Sequence, residues 1–187
     1  MTNKVSVLGI GMLIVGALFF LPYPYFSIHA FWAYLALFVP YLLFTLFLDM
    51  TGKVNNRKLK GYAGYFALLL FAISFAVPAI KQFHDRFIII GLLIVLFITI
   101  NFIVLKYNKV FYQMVLPEGA QNRKYTFIFW GLFALIIFIG GGHFTAPRYF
   151  ELAFGQQTAA NFYSILFLLL SYLFSIFATS TTYKFRG

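Results

Sequence analysis

Cysteine, acidic residues and charge in general are scarce in this chain. Its 187 residues include no cysteine and only four Asp and Glu, and charged residues make up 10% of the total. The lack of cysteine excludes disulfide frameworks, thiolate metal sites and cysteine nucleophiles. A soluble domain averages about 25% charged residues, so these few cannot cover a surface that faces water. The apolar fraction of 63% indicates a lipid bilayer as the main solvent.

Ionisable residues are also missing from the middle of every long apolar run. The four acids, Asp49, Asp85, Glu118 and Glu151, fall in loops or at run ends. Charged residues inside a membrane mark proton relays and ion pathways, and the sequence offers none. It also lacks a carboxylate pair, a histidine pair with ligand spacing and a glycine-rich phosphate loop with its lysine. We therefore expect a non-enzymatic protein without metal or cofactor.

Six apolar runs are long enough, or nearly so, to cross a bilayer at about 20 residues each. Backbone groups in hydrocarbon must pair within a helix or a closed barrel. These runs do not alternate as barrel strands do, so helices are expected. The prediction is an all-α polytopic membrane protein, one domain over 1–187, with transmembrane helices at 5–21, 27–48, 61–80, 87–105, 125–142 and 159–180. The first run is interpreted as a retained helix, because no small-residue cleavage pattern follows it.

The positive charges are sorted to one side of these runs. Of the 14 Lys and Arg residues, Lys81, Arg86 and Arg148 fall in segments on one side, and the others fall on the opposite side. Since Lys and Arg accumulate in cytoplasmic loops, both termini are predicted to be cytoplasmic. The net charge of +10 then needs no nucleic-acid partner, and no basic face with interleaved aromatics indicates one. We expect a multi-pass protein of a bacterial cytoplasmic membrane.

Small and polar residues within the runs predict where the helices pack. Close approach of helices in lipid depends on small residues and a few interhelical hydrogen bonds. The last run carries a stripe of serines that is expected to face the bundle, although a solute path along it is the alternative. The predicted packing residues are Gly9, Gly16, Ala72, Ala76, Asn101, Ser164, Ser171 and Ser175.

A second set of polar residues falls on the predicted outer side. Solvated loop residues are one interpretation, and a ligand site at the helix ends is the other, since a few convergent polar groups suit a ligand. The candidates are His29, His84, Asp85, Arg86, His143, Arg148, Glu151 and Gln157. The connection 143–158 follows three glycines and is interpreted as a loop, with residues 144–157 as a hypothetical lid.

On the predicted inner side, the segment 106–124 has a short amphipathic pattern. Val110, Phe111, Met114 and Val115 recur at helical spacing. Such a segment suits the membrane surface or a groove in a cytoplasmic partner.

No motif in the sequence identifies a family. In size and number of helices the chain resembles the substrate-binding membrane subunits of energy-coupling-factor vitamin transporters, and this likeness implies solute binding from outside with partner ATPases. We expect an integral membrane subunit that binds a small solute or lipid from the outer side and works through a membrane or cytoplasmic protein partner. The alternative is an interaction protein, such as a toxin-immunity factor or an accessory subunit of an exporter or surface-assembly complex.

Overall fold

The helices follow one another with short connections. A computed structural model describes residues 10–11, 14–16, 24–116, 123–141 and 146–186, with the backbone alone at 54, 123, 140–141, 146–149 and 186. Every regular element in these ranges is helical. From 24 onward they are α1 (Ile28–Met50), a 3₁₀ turn (Lys53–Asn55), α2 (Arg57–Gln82), α3 (Phe87–Lys106), α4 (Asn108–Val115), α5 (Arg123–Gly141), α6 (Ala146–Phe154), α7 (Gln156–Thr181) and α8 (Tyr183–Arg186).

Four of the helices in the described ranges are long and apolar enough to cross a membrane. They are α1, α2, α3 and the stretch Gln156–Phe185, which contains α7. The apolar helix Lys124–Ile139, within α5, is shorter. The predicted all-helical class is therefore confirmed for the described residues, and the four long helices fit a membrane protein. The predicted number of six crossings stays a prediction, because the run 5–21 lies mostly outside those residues.

For the five predicted helices from residue 27 onward, the described helices begin and end within a few residues of the predicted bounds. Side-chain caps explain two of the starts. The Ser27 hydroxyl accepts a hydrogen bond from the backbone N–H of Ala30 at 3.4 Å, so α1 begins at once after it. The Asn56 side chain accepts from the N–H groups of Lys58 and Leu59, at 3.0 and 3.3 Å. Such caps satisfy N–H groups that have no partner in the first turn. Helix α2 consequently begins before its apolar run.

Among the described helices, α2 and α7 form the most extensive pair. Both helices bury several small side chains, a residue type that lets two backbones approach closely in lipid. On α2 the buried small residues are Ala63, Ala67, Ala72, Ser74 and Ala79, and on α7 they are Ser164, Ser171, Ser175, Ala178 and Thr179. The Ser164 hydroxyl of the serine stripe donates to the Pro78 carbonyl of α2 at 3.5 Å.

Aromatic rings join this pair to α5. Phe174 of α7 stacks on Phe75 of α2 with the ring centroids 5.0 Å apart, and it meets Phe71 edge-on at 5.1 Å. Phe133 of α5 packs edge-on against the same ring at 4.9 Å. Stacked and edge-on pairs add about 1 kcal/mol each beyond area burial. One ring therefore links three helices.

A glycine allows close contact between the N-terminal segment and α1. Gly16 is buried, and a Cβ atom added there would overlap the ring of Tyr34. The second predicted packing glycine, Gly9, lies outside the described residues.

The predicted loop between the last two apolar runs is wrong over most of its length. Residues 146–154 form α6, and Gly155, with a φ of 84°, turns the chain into α7. Pro147 does not prevent the helix, because a proline in the first turn removes an N–H group that has no partner there. Phe150 stacks on Phe162 of α7 at 4.7 Å. This part of the hypothetical lid is a helix packed on its neighbour.

The amphipathic segment on the predicted inner side contains helix α4. Tyr112 and Val115 are buried within the chain, and the indole N–H of Trp130 donates to the Val115 carbonyl at 2.9 Å. Helices α5 and α7 both contact α4, while Phe111 and Met114 of the amphipathic pattern are half-buried. Val110 remains exposed.

Candidate functional site

A cluster of polar side chains joins the start of α1 to the end of α2. We call Tyr25, Lys81, His84 and Asp85 the Lys81 cluster. The Tyr25 phenol donates to the Lys81 carbonyl at 2.7 Å, and the Lys81 ammonium donates to the Tyr25 carbonyl at the same distance. The His84 Nδ1 atom lies 2.9 Å from the Lys81 carbonyl and 3.2 Å from the Tyr25 hydroxyl. These reciprocal bonds fix the chain entering α1 against the chain leaving α2.

Lys81 and the adjacent Arg86 together give the α2–α3 turn more positive than negative charge, because Asp85 is the acid there. Lys81 is only 4% exposed, and its ammonium lies 5.6 Å from the centroid of the Tyr25 ring, within cation–π range. The acid of the cluster, Asp85, lies 2.9 Å from the Nε2 atom of His84 and is largely exposed. Arg86 follows at once and is also exposed. This end of the bundle therefore favours an anionic group in the adjacent interface.

An apolar cavity of about 200 Å³ begins close to this turn. We call it the α2–α3–α7 cavity after the helices that line it. Its residues near the turn are Ile80 and Ile90, which lie about one helical turn from the segment 83–86. Deeper in the bundle, Ala76, Phe97 and Tyr172 complete its wall, and the other lining residues are Ile73, Leu93, Ile94 and Leu168. The lining suits a hydrocarbon chain rather than a hydrated solute.

Helix α3, which covers one side of this cavity, is attached to the bundle by a few polar contacts. Its one fully buried residue is Val104. The Asn101 amide donates to the Ser175 hydroxyl at 3.3 Å, and the Thr179 hydroxyl donates to the Asn101 side-chain oxygen. The Tyr172 phenol donates to the Leu93 carbonyl at 3.2 Å. The rest of α3 presents apolar side chains outward, including Leu92, Val95, Ile98 and Phe102.

The structure brings some of the predicted site residues together and leaves others apart. His84, Asp85 and Arg86 share the α2–α3 turn. His29, Glu151 and Gln157 are exposed, and in the described ranges their side chains take part in none of the hydrogen bonds of the Lys81 cluster. Arg148 lies in α6, and His143 falls outside the described residues.

Sequence reasoning missed the two residues that organise the Lys81 cluster. The sequence marks Lys81 only as one of three positive charges on the predicted outer side, and it assigns Tyr25 no role. They are 56 positions apart, and neither residue type signals such a pair in a single sequence.

Among the described residues, no group of three or more His, Asp or Glu side chains is placed to hold a metal ion. Comparison with known proteins yields no match to a family model, to a curated protein or to a solved structure. Function is therefore inferred from the geometry of the Lys81 cluster and of the α2–α3–α7 cavity.

Proposed function

We propose that the chain is a non-enzymatic subunit of a bacterial cytoplasmic membrane. In this proposal it crosses the membrane six times with both termini inside. It holds a lipid-like molecule with an acidic headgroup in its outer half and acts through a protein partner.

The observation that carries this proposal is the α2–α3–α7 cavity beneath the α2–α3 turn. An apolar chain of the ligand would lie among Ala76, Ile80 and Ile90, which offer no polar side-chain atom. Its headgroup would meet the turn that holds His84 and Arg86, with the Lys81 charge behind it. Of the two kinds of ligand expected from the sequence, this geometry favours a lipid over a hydrated solute. No catalytic arrangement is needed for that role.

The orientation can be tested with single cysteines, because the chain has none of its own. Asp85→Cys places a thiol at an exposed position in the α2–α3 turn. We expect a membrane-impermeant maleimide to label it in intact cells, since that turn is predicted to face outward. Asn55→Cys, exposed in the 3₁₀ turn on the other side, should react only after the cells are opened. The reverse pattern would contradict the outer location of the site.

Lipid binding can be tested by filling the cavity. Ala76→Phe adds a ring to a wall of the α2–α3–α7 cavity, and we expect it to reduce phosphatidylglycerol retained by the purified protein roughly tenfold, because a ligand needs the volume that the ring occupies. Native mass spectrometry of gently extracted protein measures the bound lipid and any partner subunit together. Phosphatidylcholine, whose headgroup carries no net charge, should be retained less by the unmodified chain.

Ala134→Phe is the matched control for this experiment. Ala134 is exposed on α5 and does not line the α2–α3–α7 cavity, so the same change of side chain there should leave lipid retention unchanged. Equal retention by the Ala76 variant and the unmodified chain would refute the cavity as the binding site. Equal retention of the two lipids would refute the role of the positive turn.

A further inference from the structure

The end of the bundle opposite the Lys81 cluster is strongly basic. Helix α2 has 26 residues and is therefore about 39 Å long, so its first turn lies far from Lys81. The described residues of this opposite end contain one acid, the half-buried Asp49. They also contain eight exposed cations, which are Lys53, Arg57, Lys58, Lys60, Lys106, Lys109, Lys124 and Lys184.

The short helix α8 brings together cations of separate helices. Its Phe185 ring packs edge-on against Tyr62 of α2 with the ring centroids 5.0 Å apart, and a Cβ atom added at Gly61 would overlap the same ring. The Lys184 ammonium lies 6.0 Å from the centroid of the Tyr112 ring of α4. Helix α8 is therefore held against α2 and α4, and Lys184 lies where the three helices meet.

Three further cations lie next to these contacts. Arg57 and Lys58 precede by one helical turn the two α2 residues that pack on Phe185. Lys109 precedes Tyr112 by three residues, and side chains three or four positions apart are neighbours on a helix surface. We give the name α8 basic surface to the four exposed cations Arg57, Lys58, Lys109 and Lys184.

The α8 basic surface collects positive charge where the local structure does not favour it. The first turn of α2 contains no acid, and cations at the start of a helix oppose the helix dipole. Like charges on neighbouring helices also repel one another. The predicted topology requires these cations only to stay on one side of the membrane, and it does not require that they converge on α8. An anion bound among them would offset both repulsions.

The surroundings of the α8 basic surface indicate that the anion belongs to a lipid. Tyr62 and Phe66 follow Lys58 along α2 at a spacing of four residues, and both rings are exposed, so an apolar strip begins directly beside the cations. Clusters of Lys and Arg at the end of a transmembrane helix attract anionic headgroups. Four positive charges exceed the charge of one phosphodiester, and a headgroup with two phosphates matches them more closely.

We propose that the α8 basic surface binds the headgroup of a phospholipid that carries two phosphates, drawn from the adjoining leaflet. The acyl chains lie along the exposed strip of α2. The bound headgroup links α8 to α2 and α4. This site lies at the opposite end of the bundle from the one in the proposed function and does not depend on it.

The test measures cardiolipin, which carries two phosphates, on the full chain by native mass spectrometry, with phosphatidylglycerol and phosphatidylcholine for comparison. Arg57→Gln combined with Lys184→Gln removes one cation from α2 and one from α8. We expect cardiolipin binding to weaken roughly 25-fold, about fivefold for each cation. Lys53→Gln combined with Lys124→Gln makes the same change of net charge at exposed cations of the 3₁₀ turn and of α5, and it should have little effect.

A variant that keeps every charge tests the role of α8. Phe185→Ala removes the ring that holds α8 on α2, so Lys184 loses its position. Cardiolipin binding should then fall roughly fivefold, as for the loss of one cation. Ala76→Phe should not change the loss caused by the substitutions at Arg57 and Lys184, so this inference and the proposed function succeed or fail separately.

Four results would overturn the inference. Equal losses in the two double variants would mean that the attraction is spread over the whole basic end. Unchanged binding in the Phe185 variant would mean that the docking of α8 has no part in it. Cardiolipin bound no more tightly than phosphatidylglycerol would contradict the two phosphates, and an acidic protein subunit retained there in place of lipid would contradict the lipid.

Discussion

Ser171→Leu is expected to destabilise the helix bundle by about 3 kcal/mol, the upper end of the usual cost of overpacking. Ser171 is completely buried and lies two helical turns after Ser164, which donates to the Pro78 carbonyl of α2, so both serines share the face of α7 toward α2. The larger, branched leucine side chain at this position would force the two backbones apart, and the small-residue contacts on both sides would then lose their close packing. Unfolding of the full chain in mixed detergent micelles, followed by helical circular dichroism, measures the loss.

A smaller side chain at the same position is expected to stabilise the bundle. The Ser171 hydroxyl is buried and has no hydrogen-bond partner, so Ser171→Ala removes an unpaired polar group without creating a large void. We expect a gain of about 1 kcal/mol. Ala134→Leu, on the exposed side of α5, should have little effect and controls for the added leucine. If the leucine and alanine variants at 171 were equally stable, close packing of α2 on α7 would not be the main source of stability.

Asn101→Leu is expected to cost about 2 kcal/mol of bundle stability. Asn101 forms hydrogen bonds with the hydroxyls of Ser175 and Thr179 on α7, and few other polar contacts attach α3. The substitution removes both interhelical bonds and leaves two buried hydroxyls without this partner. Unfolding in mixed detergent micelles, followed by circular dichroism as for Ser171, measures the loss of stability. Asn55→Leu, in the exposed 3₁₀ turn, is the matched control.

A double-mutant cycle shows whether the loss belongs to the contact with Thr179. Thr179→Val keeps the shape of the side chain but removes its hydroxyl. Residues that share a hydrogen bond show coupling of about 0.5–3 kcal/mol, so the double variant should lose less than the two single losses combined. Simple additivity would mean that the Asn101–Thr179 hydrogen bond does not stabilise the packing of α3.

The positions of the long helices could be predicted because the bilayer leaves few choices for an apolar run. Backbone groups in hydrocarbon must pair within the run, which makes the run a helix, and the bilayer thickness sets the length of that helix. The positions of α1, α2, α3 and α7 are predicted on these two grounds. The helix bounds differ by a few residues where a cap such as Asn56 extends the helix into polar sequence. Apolarity alone carries no information about such caps.

Helix α6 could not be predicted from the same signals. The three glycines before it and Pro147 within it suggested a loop, although a proline at a helix start is compatible with the helix. The helix depends on Phe150, whose packing on Phe162 is a tertiary contact. A nine-residue helix gains most of its stability from such contacts and little from its own propensity.

The candidate sites were predicted less well than the fold, because they depend on pairings between distant residues. The sequence places His84, Asp85 and Arg86 next to one another, but nothing local indicates the bonds between Tyr25 and Lys81. The cations near the C-terminus resemble those of any basic tail. Only the packing of Phe185 shows that α8 lies against α2.

The outward-facing surface of α3 has a consequence for how affinities must be measured. Most of its side chains are exposed, and the α2–α3–α7 cavity lies behind it. A ligand of that cavity would arrive by lateral diffusion within the leaflet. The occupancy of the cavity would therefore depend on the mole fraction of the ligand in the membrane. Consider two amphiphiles that make identical contacts but differ in their oil–water partition coefficients. Their dissociation constants should differ when ligand concentration is given per litre of buffer, and should agree when it is given per mole of lipid.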